Sequence, residues 1–387
     1  MRVLLIHNKY QQAGGEDEVF AAEARLLEER GHQVLRYTVH NDQVVDMDSK
    51  SLLMATVWNR SSYRELRDLV RKEQPDIAHF HNTFPLISPA GYYAVKAEGR
   101  PVVQSLHNYR LLCPNALFFR DGHTCEDCMS RTPPWPGVLH ACYRESHSAS
   151  GAVAAMLTAH RLLRTWTRMV DVYITLTEFA RNKFIQGGLP AERIVVKPNF
   201  FHPDPEPEVR WENYALFVGR LSVEKGVDTL LTAWELLEDR MPLKIVGDGP
   251  LSDVVAQAAR GLESVEWLRR QPREQVLRLM KRARVLIFPS ICYENFPLVA
   301  AEAFAVGLPI IASNLGSLAS LVNPGHTGLL FRPGDPEDLA DKVGWALDHP
   351  HELASMRREA RSEFETEYTA ERNYERLLRI YELARGR

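Results

Sequence analysis

Glu294 and Glu302 stand eight positions apart in the stretch FPSICYENFPLVAAEA, Phe288 to Ala303. Two carboxylates so spaced can hold different parts of a bound polyol, one at a reaction centre and the other on a ribose diol. A strand-length apolar run ends at Phe288, and Pro297 suits the first turn of a following helix. The amides from Phe296 to Val299 would then face a ligand beside an anion-friendly helix terminus. Glu294 belongs to the loop. The alanine-rich run after Pro297 reads as a buried helix, where an unpaired Glu302 would be costly.

Cations come from an earlier segment. VGRLSVEKG, Val218 to Gly226, follows a strand directly and puts Arg220 and Lys225 on one loop. A planar fork and a point charge together would clamp a diphosphate, while two solvated loop cations is the plain alternative. GDGP, from Gly247 to Pro250, is a second strand-end turn whose glycines permit close backbone approach. In the first half, QQAGG spans Gln11 to Gly15 between a strand and a helix, so its amides could receive an anion. The run lacks G-x-G-x-x-G spacing, which disfavours a nicotinamide dehydrogenase. His79, His81 and His107 fall at or near strand ends, where ligands bind in such sheets. His107 is the better candidate, and His81 reads more readily as a hydrogen-bonded structural group.

Cys113, Cys125, Cys128 and Cys142 bracket an insert rich in Pro and aromatic residues. C-x-x-C at 125 to 128 is the usual zinc half-site, and one cysteine on either side could complete a closed, structural tetrahedral site. Four reduced thiols acting as small apolar groups, or one or two disulfides, are the alternatives.

These residues need elements to position them. Strand-length runs at Val3–Ile6, Gln33–Tyr37, Ile77–Phe80, Val102–Leu106 and Val172–Leu176 alternate with segments long enough for crossover helices, the first from about Asp17 to Arg30. A second series follows at Tyr214–Val218, Leu243–Val246, Val265–Trp267, Val285–Phe288, Ile310–Ala312 and Leu329–Phe331. Such alternation predicts α/β architecture, two Rossmann-like domains with an interdomain cleft at their strand ends. The domains are placed at 1–200, with the cysteine insert at 108–147, and at 211–365. HPDPEPE, with three prolines, marks a linker at 201–210, and a helix at 366–387 would cross back toward the first domain.

The 387 residues are 45% hydrophobic and 25% charged, enough for two or three domains and too apolar for disorder. Lys plus Arg number 47 against 50 acids, a net charge of −3, which argues against a nucleic-acid partner. No signal peptide or membrane-length apolar run is evident, so a cytoplasmic location is expected. His160 to Met169 interleaves Arg161, Arg164 and Arg168 with apolar residues, a pattern that could touch the inner face of a membrane, or simply form a solvated surface helix.

In order and at this spacing, the glycine loop, His107, Arg220 with Lys225, GDGP, E-x7-E and Gly307-Leu308-Pro309-Ile310 resemble the retaining GT-B glycosyltransferases of family 4. The resemblance covers most of the chain. It implies a GT-B fold and transfer of a sugar from a nucleotide diphosphate sugar, with retention at the anomeric carbon and without a catalytic metal. The acceptor would be a saccharide or lipid-linked saccharide, in the synthesis of polysaccharide or glycoconjugate. By the same resemblance, residues matching Arg220 and Lys225 hold the diphosphate, Glu302 the ribose hydroxyls and Glu294 the donor sugar. Gly247 and the turn Asn295, Phe296, Pro297 and Leu298 belong to the donor site, and Gly14, Gly15 and His107 face the donor from the other domain. A nucleotide-sugar epimerase, a phosphorylase or a non-catalytic nucleotide-sugar binder is the alternative on this architecture. One departure is clear: after Gly316 the family often has Pro-Glu, and this chain has Ser317-Leu318-Ala319-Ser320.

Overall fold

The computed structural model describes every residue except Gln12, Ala13 and Val209. In the first half, β1 (Arg2–Lys9), β2 (Gln33–His40), β3 (Ile77–Asn82) and β4 (Val102–Leu106) precede a two-stranded hairpin, β5 (Phe119–Arg120) and β6 (His123–Thr124). β7 (Val172–Thr175) and β8 (Ile194–Val196) follow. Six of these form one sheet in the order β2-β1-β3-β4-β7-β8, all parallel. Every residue of β3, β4 and β7 is buried, as expected of parallel strands covered on both faces.

The second sheet holds β9 (Ala215–Val218), β10 (Leu243–Val246), β11 (Val265–Trp267), β12 (Val285–Phe288), β13 (Ile310–Ser313) and β14 (Gly328–Phe331). Its order is β11-β10-β9-β12-β13-β14, again all parallel. Renumbered from its first strand this is 3-2-1-4-5-6, the doubly wound order whose direction reverses between the first and fourth strands. Here those strands are β9 and β12. The loops that leave their carboxyl ends therefore start side by side at the switch point.

The chain divides into two compact units, Met1–Phe118 with Cys125–Pro198 and Asn373–Arg387, and Phe119–Thr124 with Asn199–Arg372. The first unit's core joins Val3, Leu5, Phe20, Ala24, Ile77, Val103 and Ile174 to Leu377, Ile380 and Tyr381 of the helix Ala370–Arg385. The second gathers Leu230, Trp234, Ile245, Val285, Ile287 and Val343 around its sheet. The proline-rich segment after Phe201 is held within the second unit: Phe201 bridges Thr369, and Arg361 grips Asp204 through two bonds of 2.7 and 2.6 Å. β8, of three residues, and the hairpin, with two residues in each strand, are absent from the periodicity reading.

The basic stretch 160–169 is not one amphipathic helix. The helix His147–Leu162 stops, Arg164 takes a left-handed conformation at φ 55°, and a short turn Thr165–Arg168 follows. Leu162 and Leu163 are exposed, whereas Trp166 is buried and His160 bonds to the Thr165 hydroxyl and the Val57 carbonyl. Among the described residues, no helix is long and apolar enough to cross a membrane.

Candidate active site

In the second unit the loop after β9 passes through a short turn, Val223–Lys225, and enters the helix Val227–Leu237 at Gly226. Gly226 has φ +70°, and a Cβ there would lie 1.9 Å from the Pro289 carbonyl oxygen. Only glycine lets this loop close onto the one after β12. The contact is completed by the Ile291 amide, which donates to the Glu224 carbonyl at 3.0 Å. Gly247 does the same on the other side: at φ +144° its missing Cβ would stand 1.8 Å from the Gly219 carbonyl oxygen.

This closure brings Lys225 to Glu294. Lys225 Nζ lies 2.5 Å from Glu294 Oε1, and the Ser290 hydroxyl donates to the same oxygen at 2.7 Å. Burial opposes the Lys225 charge, but the Glu294 carboxylate, with Cys292 and Glu224 nearby, raises its pKa above the ordinary lysine value. Burial and the same Glu294 charge push the Cys292 thiol far up, so it is a neutral filler and not a nucleophile. Arg220, on the same loop, is exposed and among the described residues pairs with no carboxylate. A cation left open beside one already matched to a carboxylate is an arrangement that an incoming diphosphate can complete.

The helix after β12 begins at Leu298, with Pro297 as its cap residue instead of a first-turn residue and no side chain capping it. Its amides at this end are therefore available to an anion. Asn295 is buried beside the turn. The Phe296 ring packs 5.4 Å from Tyr368, and its carbonyl accepts from Asn199 at 3.1 Å. What Phe296 and Leu298 can offer is mainly backbone. Glu302 is buried as the apolar run implied, and its partner is Arg273, 3.2 Å away on the helix Arg273–Arg282. Arg273 also stacks its guanidinium over Phe201 at 4.8 Å. Nothing in the local sequence around Arg273 marked it as this partner, nor Ser290 as the second bond to Glu294.

In the first unit the glycine loop after β1 meets the helix Gly15–Glu29; Gln12 and Ala13 of that loop lie outside the described residues. Gly14 donates its amide to Asp17 at 2.9 Å, and Asp17 in turn pairs with His7 at 2.9 Å. Gly15 opens the helix and is exposed. Asn108 and Tyr10 both donate to Glu16, at 2.6 and 3.0 Å, which brings the segment after β4 against residues that flank the glycine loop. His107 lies half-buried in that segment. It lines a pocket with His81, Asn82, Phe84, Asn108 and Arg110, whose guanidinium is held over the rings of Phe84 and Tyr143.

Behind His107 lies a buried cluster. His107 Nε2 is 3.1 Å from His81 Nδ1, and His79 bonds to the Tyr381 hydroxyl and the Ser105 hydroxyl at 2.9 and 2.8 Å. Glu23 and Lys197 pair at 2.6 Å, each 1% exposed. Burial, with Lys197 and neighbouring imidazoles, drives His79 and His81 well below the ordinary histidine pKa and His107 down to about 3. The imidazoles are neutral at pH 7 and work as hydrogen-bonding groups, not charges.

The four insert cysteines are all free thiols. Cys128 accepts the Gly137 amide at 3.1 Å, and burial together with Cys113, Cys142 and Cys125 pushes its pKa up to about 12. The four sulfurs thus share one neighbourhood. Among the described residues, however, the group with ligand atoms within 4.8 Å of one another is Glu23, His79 and His81.

Comparison with known proteins places the chain in a family. The profile of glycosyl transferases group 1 matches residues 201–363, and that of glycosyltransferase family 4 matches 13–204. The chain belongs to the group 1, family 4 glycosyltransferases. An uncharacterized glycosyltransferase of Methanocaldococcus jannaschii is 31% identical over 172 residues, 44% of this chain and 48% of that protein. Glycogen synthase of Mycobacterium tuberculosis is 33% identical over 256 residues, 61% of this chain and 59% of that protein. The chain spans about half the length of the curated relatives it matches. Among solved structures, HepE of Anabaena in complex with UDP aligns with a TM-score of 0.70 at 18% identity, over 98% of this chain and 99% of that one. Sucrose-phosphate synthase of Thermosynechococcus elongatus aligns with a TM-score of 0.70 at 17% identity, over 98% of each. The fold of this family is GT-B, with two Rossmann-like domains.

Proposed function

We propose that the protein transfers a sugar from a nucleotide diphosphate sugar to a hydroxyl acceptor, with retention at the anomeric carbon and no catalytic metal. The observation that carries this is the loop pair at the switch point, where Lys225 meets Glu294 beyond the ends of β9 and β12 and Arg220 is exposed on the same loop as Lys225. Two cations there would stabilise the charge that grows on the leaving diphosphate, the largest single service such a site can offer. Glu294, on the loop, meets the donor sugar. Glu302, on the helix, takes the ribose hydroxyls by exchanging its bond to Arg273. A uracil nucleotide is the first donor to test, since the HepE structures hold UDP, UDP with glucose, and UDP-glucose. Gly14, Gly15 and His107 are assigned to the donor on the family resemblance, with His107 accepting a sugar hydroxyl. The acceptor is a saccharide or lipid-linked saccharide, and the pathway one of surface polysaccharide or glycoconjugate synthesis.

Steady-state kinetics test the assignment. Arg220→Ala and Lys225→Ala should each lower turnover by about 10²-fold or more, as loss of a donor to a developing oxyanion does. Glu294→Gln should mainly lower kcat, and Glu302→Ala mainly raise the donor KM. Near-normal kcat/KM in these variants would sink the site, and strict dependence on added Mg²⁺ or Mn²⁺ would sink the metal-free mechanism.

Two accessory roles belong to the same reading. Exposed Leu162 and Leu163, beside Arg161, Arg164 and Arg168, would rest on the inner face of a membrane that carries the acceptor. Cys113, Cys125, Cys128 and Cys142 would hold one structural zinc, with side-chain rotation closing their sulfurs around it. About one zinc per chain, lost in a Cys125→Ser and Cys128→Ser double variant, is the expected result of elemental analysis; four titratable thiols without metal would end the idea.

A further inference from the structure

Glu23, His79 and His81 have the composition of a metal site, but the trio is already spoken for. The Lys197 ammonium occupies Glu23, and both ring nitrogens of His79 are spent on the hydroxyls of Tyr381 and Ser105. A metal ion would have to evict a cation from a site with no exposed edge. The cluster has another consequence.

We propose that Glu23 and His81 are positioning residues that fix which nitrogen of His107 carries its proton. The argument runs outward from the ion pair. Lys197 pairs with Glu23 Oε1 at 2.6 Å, and a carboxylate in such an ion pair can only accept hydrogen bonds. Its other oxygen, Oε2, lies 3.5 Å from His81 Nε2 and 3.9 Å from His79 Nδ1, and both Oε2 and His81 Nε2 are buried without a hydrogen-bond partner. A neutral imidazole satisfies both only by carrying its proton on Nε2. His81 Nδ1 is then a lone pair, and it lies 3.1 Å from His107 Nε2. His107 must therefore donate from Nε2, which leaves its own lone pair on Nδ1.

The other ring nitrogen near Oε2, His79 Nδ1, is engaged by the Tyr381 hydroxyl at 2.9 Å. The His79 ring lies tilted 4.4 Å from the His81 ring, and His7, from β1, stands edge-on at 6.3 Å with its Nε2 committed to Asp17. Phe20 completes the wall. The charged groups nearest the cluster are Glu23 and Lys197, paired with each other at 2.6 Å, and Asp17, paired with His7 at 2.9 Å.

The outcome is a half-buried imidazole at the pocket edge that is obliged to accept at Nδ1. An acceptor suits a sugar hydroxyl, which can donate, and repels a phosphate oxygen, which cannot. This extends the reading of His107 given above and rests on it for its functional meaning, but the proton position can be read without any assay.

Nitrogen-15 spectra of histidine-labelled protein should show His107 protonated on Nε2 and bare on Nδ1. A wild-type His107 protonated on Nδ1 overturns the proposal, and this measurement needs no variant to fold. In a Glu23→Gln, Lys197→Met double variant, which removes both charges together, the His107 tautomer should become mixed; an unchanged tautomer overturns it too. That variant should lose about tenfold in kcat/KM, the scale of a lost outer-shell partner. In a His107→Ala background the same double change should cost nothing further, whereas an additive loss would mark a purely structural role and reject the relay. Full activity of His107→Ala alone would remove His107 from donor binding, with the spectra still deciding the relay.

Discussion

Two lysine–glutamate pairs, Glu23–Lys197 in the first unit and Lys225–Glu294 in the second, differ in almost everything but chemistry. Glu23–Lys197 is 1% exposed on both sides, while Lys225–Glu294 is 26% and 11% exposed. The buried pair was taken out of water when the chain folded, and neither partner can leave without stranding the other. The open pair sits on loops at the edge of a switch point, where a ligand's phosphates and hydroxyls can take over from protein partners at little desolvation cost. Burial thus turns one pair into a fixed electrostatic reference for neutral histidines, and partial exposure leaves the other exchangeable.

The sharpest way to break this contrast is to remove each lysine in turn. Lys197→Met should cost about 3–5 kcal/mol of unfolding free energy, because it leaves the Glu23 carboxylate buried and alone. Lys225→Met should cost about 1 kcal/mol or less, since its partner keeps Ser290 and solvent. Urea denaturation of both variants decides it. Equal losses would mean that exposure does not separate the two pairs.

The same contrast explains what the sequence could and could not reveal. The loop positions of Arg220, Lys225 and Glu294 were legible because a cation or acid within a few residues of a strand end has few places to go, and the burial of Glu302 was legible from the apolar run around it. The closure by Gly226 was half-legible, since a glycine before a helix signals a special turn but not that Pro289 would fill the space of its Cβ. Glu23 and Lys197 went unseen because they meet across 174 positions. A signal existed for Glu23, which lies on the apolar face formed by Phe20, Ala24 and Leu27 of its helix, where a lone acid demands a partner. Lys197 gave none, being one basic residue after a three-residue strand. Arg273 was hidden for the same reason, since the ion pair to Glu302 depends on how two helices pack and not on either one's pattern.

Acid should expose the neutrality of the first unit's cluster. His79, His81 and His107 bind protons in the folded state only far below the unfolded value of about 6.5. Between those limits the unfolded chain binds more protons, so stability rises with pH and falls on acidification through about 6.5. For three such histidines the loss from pH 7 to pH 6 is about 2 kcal/mol. Thermal melts across this range should show a falling Tm that flattens in a His81→Gln variant, while a flat wild-type profile would mean that the histidines take up protons without unfolding.

A third pair calibrates the low end of the scale. Arg361 grips Asp204 with two short bonds, yet Asp204 is 47% exposed and Arg361 also holds Glu365 at 2.7 Å and the Ala305 carbonyl at 2.6 Å. The Arg361 guanidinium keeps the Asp204 carboxyl below its ordinary pKa. That direction makes the pair's contribution present above about pH 4 and lost as acid protonates the carboxyl. Solvent screening keeps the contribution small. Asp204→Ala should therefore cost about 0.5–1 kcal/mol, less in high salt, because Arg361 retains its other partners and is not stranded. Its one larger consequence is local: the segment after Phe201 loses its anchor to the helix Pro350–Glu363, so protease cleavage between 202 and 208 should accelerate while the global Tm barely moves. A drop in Tm as large as that of Lys197→Met would show that bidentate geometry, and not burial, sets the worth of these pairs.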